Sequence, residues 1–455
     1  MDAETMERLL RHKVSTDTRL LEKGDVFFAL VGKRFDAHDF IPQALEKGVS
    51  VFVVSDRNKV KEEWLKKADF IYVEDTLAAY GDLACFYRKK IKVPVVAITG
   101  SVGKTTVKEL LAHLLSARFK VLKNRGTENN LVGVPKTLFL LEKDTEVVVL
   151  EMGTNAPGEI ERLSSIIRPQ AAILTQIGHS HLERLKSLEG VRKEKLMVLK
   201  NLERGGILFV NGEDPQLANV RSGVHRVVRV GFPPKANPPL AVDLPRADVI
   251  AERVEGSEEG TQFYVDGVKM TTPLVGRHNV LNCLLAIECA KSLGMEAHEI
   301  QAALATFKCV PGRLTIKTLS NITFLDDSYN SNPTSFRAAL ETLKGLETQG
   351  KKGVVSGDML ELGPQSEAFH REIGREIASA QLDFAVAAGP LSVSLAEEAV
   401  KWGFPAEKMF HVKDSAEAGK VCQKLASAGD LVLIKGSRGM QMEKILECFT
   451  SFSTP

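Results

Sequence analysis

Two apolar rhythms alternate along most of the chain. Short, nearly continuous apolar runs such as VPVVAITG (93–100), TEVVVLEMG (145–153) and AAILTQIG (171–178) predict strands of a parallel sheet covered on both faces. Between them the spacing becomes helical: Val107, Leu110, Leu111, Leu114 and Leu115 fall on one face. Nearer the start, GDVFFALVG, FIPQALEKG and VSVFVVSD give strand, helix and strand, and TLAAYGDLACFYRKKIKV is a helical stretch leading to Pro94. Residues 225–275 break the rhythm with prolines, polar turns and short alternating runs, which predict a small β-rich insertion. The helical GRHNVLNCLLAIECAKSLG follows, and then ITFLDDSYN, GVVSGDML, FAVAAG and GDLVLIKGS each pair an apolar run with a loop and a helix. The expected architecture is α/β in three domains: a small N-terminal one (1–75), a central parallel-sheet phosphate-loop domain carrying the insertion (76–308), and a Rossmann-like one (309–455).

Composition narrows the function classes. At 455 residues, two or three domains are natural, and 44% apolar residues supply several cores. Sixty Lys and Arg nearly balance 58 Asp and Glu, so no global field points to nucleic acid or anionic lipid. Six scattered cysteines have no metal-binding spacing and read as thiols of a reducing compartment. The start, MDAETMERLLRHK, is charged and lacks the apolar core of a leader, and no apolar stretch approaches membrane-spanning length. A cytoplasmic protein is expected, monomeric, without nucleic-acid partners or membrane insertion.

One strand runs into chemistry. VVAITG passes through Gly100, Ser101, Val102, Gly103, Lys104, Thr105 and Thr106 directly into a helix. Glycines at such a turn let backbone N–H groups close around an anion, and the helix N-terminus adds positive potential. Lys104 would reach the outer phosphates, and the Thr105 hydroxyl would ligate Mg²⁺. The usual phosphate loop has about four residues between its glycines, whereas two separate Gly100 from Gly103 here. A glycine turn with a surface lysine competes with this reading, but strand, GKTT and helix together favour an ATP site.

A magnesium nucleotide needs oxygen ligands near its phosphates. Glu151 lies at the carboxyl end of a buried strand, where ligands gather in open α/β sheets. A carboxylate in solvent is the alternative. GHSHLERLKSLEGVRKEKLMVLK places His179 and His181 at the same edge. Two histidines one residue apart point opposite ways if extended, so at most one is a candidate ligand. Lys195 sits among lysines and arginines that read as a solvated helix face.

These residues, with GDVFFALVGKRFDAHDF, NNLVGVPKTLF, EMGTNAPGEI, HLERLKSLEGVRKEK, GRHNVLN, PGRL, DDSYNSNPTS, GDMLELG and KGSRG, resemble the Mur ligases, ATP-dependent amide-forming enzymes of peptidoglycan synthesis. The resemblance runs through essentially the whole chain, and the short phosphate loop is the family form. EMGTNAPGEI, YNSNP and GDMLELG are more selective and favour the member that adds D-alanyl-D-alanine to a UDP-N-acetylmuramoyl-tripeptide.

The resemblance implies the following roles. ATP phosphorylates the tripeptide carboxylate, and the dipeptide amine attacks the acyl phosphate. Two Mg²⁺ are expected, one with Thr105 and Glu151, the other with His181 and a carbamylated lysine. Lys193 and Lys195 both stand in the RKEK run, and Leu196 after Lys195 favours the latter. Lys104, Glu151, His181 and Lys195 form the implied catalytic set. Asn279 and Asn282 would lie near adenine, although Asn279 also fits a helix N-cap. Arg313 and Asp327 would close on ribose and phosphates, with Asn330 and Asn332 nearby. Asn129, Asn130, Thr154 and Asn155 would face the tripeptide. Thr18, Arg19, Asp36 and His38 would hold the uridine diphosphate. Thr18 and Ala37 depart here from the family's usual serine and glycine, and Ala37 adopts positive φ less readily. Asp358, Glu361, Lys435, Ser437 and Arg438 are candidates for the dipeptide, with caps and surface loops as alternatives. The ligase that adds a diamino acid is the nearest rival, but its Asx-Asn-Pro-Arg type motif is missing from the last domain. A folylpolyglutamate synthase has no use for a nucleotide-sugar domain, and a non-catalytic nucleotide switch no need of Glu151, His181 and Lys195 together.

Overall fold

The computed structural model describes residues 1–32, 35–234 and 245–450. Lys33 and Arg34 of the GDVFFALVGKRFDAHDF stretch, and 235–244 of the expected insertion, lie outside the described residues.

Three α/β units follow one another. The first is a four-stranded parallel sheet of Val14–Ser15, Val26–Phe28, Val51–Val54 and Asp69–Tyr72, in that order. Phe27, Phe52 and Phe70 pack on one face, with Phe52 stacked on Phe70 at 4.9 Å.

The central sheet has seven parallel strands. Its middle strand, Val95–Thr99, is flanked by Val147–Glu151 and Ala171–Leu174, and all three are buried from end to end. On one face lie the helices Lys104–Leu115 and Arg277–Ser292. On the other, a single buried cluster continues from Leu150 and Leu174 to Phe336, Leu340 and Leu343 of the third unit.

The insertion is smaller than its sequence suggests. Arg226–Gly231 and Val249–Ile250 extend the central sheet as parallel strands, and only Glu252–Ser257, Gly260–Val265 and Val268–Thr272 form a separate antiparallel sheet. A strand near a sheet edge is covered on one face, so its residues alternate as in an antiparallel strand; 226–231 are half covered in this way.

The third unit is a six-stranded sheet, parallel except for the opening hairpin of Thr315–Leu319 and Ile322–Asp327. Ser320 and Asn321 turn that hairpin with φ of 50° and 58°, as a two-residue turn requires.

The helix Thr76–Lys90 binds the first unit to the second. Tyr80, 1% exposed, lies edge-on to Phe28 of the first sheet at 5.2 Å and against Phe139 of the second unit at 5.3 Å. Arg88 closes the helix by donating to the carbonyls of Ile91 and Val93. Tyr80→Ala should therefore cost about 3–5 kcal/mol and let the first unit unfold ahead of the others. Urea titration with limited proteolysis of the first 75 residues checks both.

Candidate active site

The phosphate loop is shaped by sterics. Gly100 and Gly103 take φ of 147° and 86°, and a Cβ on them would lie 2.1 Å from Thr175 Oγ1 and 2.7 Å from Asn282 Oδ1. Ser101 N–H donates to the Gln176 carbonyl at 2.6 Å and Thr175 Oγ1 to that of Val102 at 2.5 Å, bracing the loop against the neighbouring strand end. Val102 and Thr106 line the same cleft. Lys104 arches back so that Nζ donates to Gly100 O at 2.9 Å. Burial pushes its pKa down, Glu151 opposes that and Arg313 adds to it.

Glu151 is 1% exposed at the end of its strand. Thr105 Oγ1 donates to one carboxylate oxygen at 3.0 Å and Asn129 Nδ2 to the other at 2.7 Å. Hydroxyl and carboxylate are hard donors that suit Mg²⁺, which commonly adds substrate phosphate oxygens to one or two protein carboxylates. Among the described residues no cluster of three or more His, Cys, Asp or Glu is shaped for a metal, so Thr105, Glu151 and a bound phosphate are the fitting set. Arg313 crosses from the third unit to donate to Thr105 Oγ1 at 3.2 Å, its guanidinium 4.0 Å from the centre of the Tyr329 ring.

Lys195 is 1% exposed, whereas Lys193 faces solvent. Burial, then the charge of Lys104, holds Lys195 well below the ordinary lysine range. Glu194 beside it caps the helix Glu159–Ile167, accepting from Gly158 N and Ile160 N at 2.8 Å. Thr154 hydroxyl donates to the Ala156 carbonyl at 2.7 Å within the loop that Glu194 fastens.

His179 and His181 do not diverge, because His181 has a left-handed φ of 53° rather than an extended one. Both reach the third unit: His179 packs on Phe369 at 4.7 Å, and His181 Nδ1 pairs with Glu361 at 2.8 Å. The structure brings Thr105 and Glu151 together and sets His181 against Glu361 instead.

A cleft lies between the second and third units, lined by Ser101, Asn279, Asn282, Arg313, Asp327 and Lys435 among others. Asn279 is not an N-cap: Gly276 holds that position, and the Asn279 amide donates to Val275 O at 2.9 Å. Asn282 Nδ2 donates to Asn279 Oδ1 at 2.9 Å, which aims Asn282 at the phosphate loop. Asn332 caps the helix Pro333–Gly345 through Ser335 N at 2.8 Å, and Asn330 accepts from Ser331 N at 2.9 Å.

Lys435, a candidate for the dipeptide, lines this cleft. Its Nζ pairs with Asp327 and donates to Asn330 O, and burial depresses it despite Asp327. His278, absent from the sequence reading, lines the same cleft; burial pushes its pKa down to about 4, with Asp327 opposing and Lys435 adding.

A larger cavity of about 790 Å³ opens between the first unit and residues 125–140, lined by Lys13, Thr16, Asp17, Arg125, Asn130 and Lys136 among others. Thr18 is buried beside it, and exposed Arg19 holds Asp17 at about 2. Asp36 and His38 stand outside this cavity. The His38 ring is fully buried, its Nδ1 donating to Asp36 at 2.6 Å and its Nε2 accepting from Ser55 N at 3.0 Å. They tie two loops of the first sheet together.

In the third unit Asp358 is likewise engaged, accepting from Ser392 N and Oγ at 2.7 Å. Ser437 Oγ accepts from Leu360 N at 2.9 Å. Arg438 and Glu361 remain largely exposed. Glu361 shares a cavity of about 240 Å³ with Asn155, His181, Glu183 and Arg184.

A glycine-built phosphate loop, a buried Thr–Glu pair and cations brought from a second α/β unit define a modular enzyme that handles nucleotide phosphates. The chain belongs to the Mur ligase family. Residues 11–88 match the Mur ligase family catalytic domain, 98–290 the Mur ligase middle domain and 312–438 the Mur ligase glutamate ligase domain. It is 37% identical to the UDP-N-acetylmuramoyl-tripeptide–D-alanyl-D-alanine ligase of Bacillus subtilis, over 97% of this chain and 93% of that one. It is 36% identical to the enzyme of that name from Escherichia coli, over 97% and 94%. Among solved structures, MurF of Acinetobacter baumannii matches 98% of both chains with a TM-score of 0.86 at 29% identity. MurF ligase of Thermotoga maritima in complex with ADP covers 99% of this chain and 98% of its own at 0.85 and 27%.

Three outcomes follow from this geometry. Glu151→Gln keeps the shape of the pair but removes its charge, so ATP-dependent turnover should fall by about 10²-fold or more with thermal stability little changed. His38→Ala orphans the backbone donors of Ser55 and Asp56, so it should cost about 1–3 kcal/mol in urea unfolding and leave substrate affinity near wild type. His278 is neutral in the fold down to about pH 4 but titrates near 6.5 when unfolded. The stability it contributes is complete above 6.5 and drains away as pH falls toward 4. The urea midpoint of His278→Gln should therefore depend less on pH than wild type across that window.

Proposed function

We propose that the protein joins D-alanyl-D-alanine to UDP-N-acetylmuramoyl-tripeptide, converting ATP to ADP and phosphate. The observation that carries this reading is the loop 124–130, which forms a wall of the 790 Å³ cavity and, through Asn129, holds the buried Glu151 beside the phosphate loop. A long UDP-linked substrate lying in that cavity has its far end directed toward the ATP phosphates. The names of the relatives supply the substrates. Residues 1–75 would carry the UDP end, 76–308 the ATP and 309–455 the dipeptide. The diamino-acid-adding relative, at 17% identity and a TM-score of 0.56, shares the fold.

In the first step an oxygen of the tripeptide carboxylate attacks the γ-phosphorus, and the bond to ADP breaks. Lys104, the loop N–H groups and Arg313 offset the charge gathered there. The dipeptide amine then attacks the acyl carbon, loses a proton, and the tetrahedral adduct expels phosphate. Mg²⁺ held by Thr105 and Glu151 would screen the two anions as they meet. Lys195 is suited to carbamylation: a depressed pKa leaves a free amine to attack CO₂, forming the N–C bond and releasing one proton. For the carbamate to serve a second Mg²⁺ with His181, as the resemblance implies, His181 would have to leave Glu361. Lys195→Ala should lose activity and regain part of it with a short carboxylic acid.

The nucleotide cleft encloses about 70 Å³, against roughly 300–1,000 Å³ for ligand pockets. ATP binding therefore needs the third unit to swing away and return. Small-angle scattering should change on adding an ATP analogue with UDP-tripeptide, and identical profiles would count against this closure.

A reaction that consumes ATP and a UDP-linked substrate supports a cytoplasmic location. Among the described residues no helix is long and apolar enough to cross a membrane. One polypeptide supplies every group named here, so a monomer suffices, and light scattering on the eluting protein measures it. The deciding assay is phosphate release from ATP with UDP-tripeptide, with and without D-alanyl-D-alanine. Release that needs both, with a UDP-pentapeptide by mass, is the expected outcome; release driven by UDP-dipeptide and a diamino acid would reassign the enzyme.

A further inference from the structure

Lys108 is a buried cation with no part in the chemistry above. It lies one turn beyond Lys104 on the helix Lys104–Leu115 and is 0% exposed. An ammonium has three donors, and each has a partner: Asn124 O at 2.9 Å, Gly126 O at 2.8 Å and the Glu109 carboxylate at 2.9 Å. Two of the three acceptors are carbonyls of one loop. A methionine or leucine would fill the same space without the cost of desolvating a charge, so packing alone does not account for a lysine here.

The loop it grips has two faces. Arg125, Gly126, Thr127 and Glu128 line the 790 Å³ cavity. On the other side Asn124 donates to the carbonyls of Glu128 at 2.9 Å and Glu151 at 3.0 Å, and accepts from Glu151 N at 3.0 Å. Asn129 holds the Glu151 side chain and, through its carbonyl, Gly153 N at 2.8 Å. Lys108 thus ties the cavity-facing residues of the loop to the helix that carries Lys104 and Thr105, beside the Thr105–Glu151 bond and the Lys123–Glu109 pair.

We propose that Lys108 is a positioning residue, fastening the wall of the large cavity to the phosphate-loop helix so that a substrate in the cavity is set in register with the transferred phosphate. This rests on the reading of that cavity as the site of the UDP-linked substrate. The affinity of the cavity for its ligand should depend on Lys108 far more than the affinity of the phosphate loop for nucleotide.

Titration calorimetry on the full-length Lys108→Met protein tests this with UDP-N-acetylmuramoyl-tripeptide and, separately, a non-hydrolysable ATP analogue. The Kd for the UDP-tripeptide should rise about tenfold or more, a loss of about 1.4 kcal/mol, while that for the analogue stays within about threefold. Equal weakening of both ligands, or unchanged UDP-tripeptide affinity, overturns the proposal. If Lys108→Met does not fold, Lys108→Gln, which keeps a shorter neutral donor, is read by the same two titrations. Wild type that fails to bind UDP-tripeptide speaks against the substrate reading instead. Amide hydrogen exchange over 124–128 then decides the tie itself: faster exchange in the variant than in wild type supports it, and equal exchange overturns it.

Discussion

The structure depends on a buried carboxylate held between a hydroxyl and an amide. Glu151 is sealed at the end of the central sheet, where Thr105 and Asn129 donate to its carboxylate. Lys104, Arg313 and Lys195 are all pushed toward neutrality by burial, and Glu151 pulls each back. Asp327 acts on Arg313 in the same sense, and Glu194 and Glu159 on Lys195, so the site is held by carboxylates from several elements. Phosphate oxygens would add negative charge beside Lys104 and Arg313, and a carbamate would turn the Lys195 amine into an anion.

That constraint explains how the units are joined. Apolar contact holds the first unit to the second through Tyr80, Phe28 and Phe139, and the second to the third through Leu150, Phe336 and Leu340. Polar contact is concentrated where a substrate has to be reached. Arg313 meets Thr105, and His181 meets Glu361, across the boundary between the second and third units. The His181–Glu361 pair is partly exposed, and an exposed ion pair is individually weak.

The strands and the phosphate loop were legible because burial on both faces leaves an unbroken apolar run, and because glycine, lysine and threonine at a strand-to-helix turn have few other uses. The strand Arg226–Gly231 was misread because half-coverage imitates an antiparallel strand. Polar loop residues were the hardest to read. His38, Asp358 and Ser437 read as ligands in sequence, and sequence did not show that each side chain also accepts from a backbone N–H. The reverse error hid Lys108, Glu194 and His278. A charged residue inside a helix has the same local pattern whether it faces water or the core, and only the packing partner tells them apart. Lys195 illustrates this: resemblance alone raised it above its neighbours, and its burial against the exposure of Lys193 agrees with that choice.

The cations of the cleft also share a kind of partner. Lys104 donates to a carbonyl, Arg313 to a hydroxyl, and Lys435 to a carbonyl as well as to Asp327. Neutral oxygens are weaker acceptors than phosphate oxygens, since charge-assisted bonds are roughly twice as strong. A triphosphate can take over Lys104 and Arg313 without first breaking an ion pair. Lys435 differs, because its carboxylate partner Asp327 also accepts from Leu314 N at 3.1 Å, beside Arg313 in the chain. Asp327 thus joins Lys435 to the backbone at Leu314, one residue from the Arg313 that reaches Thr105 across the cleft.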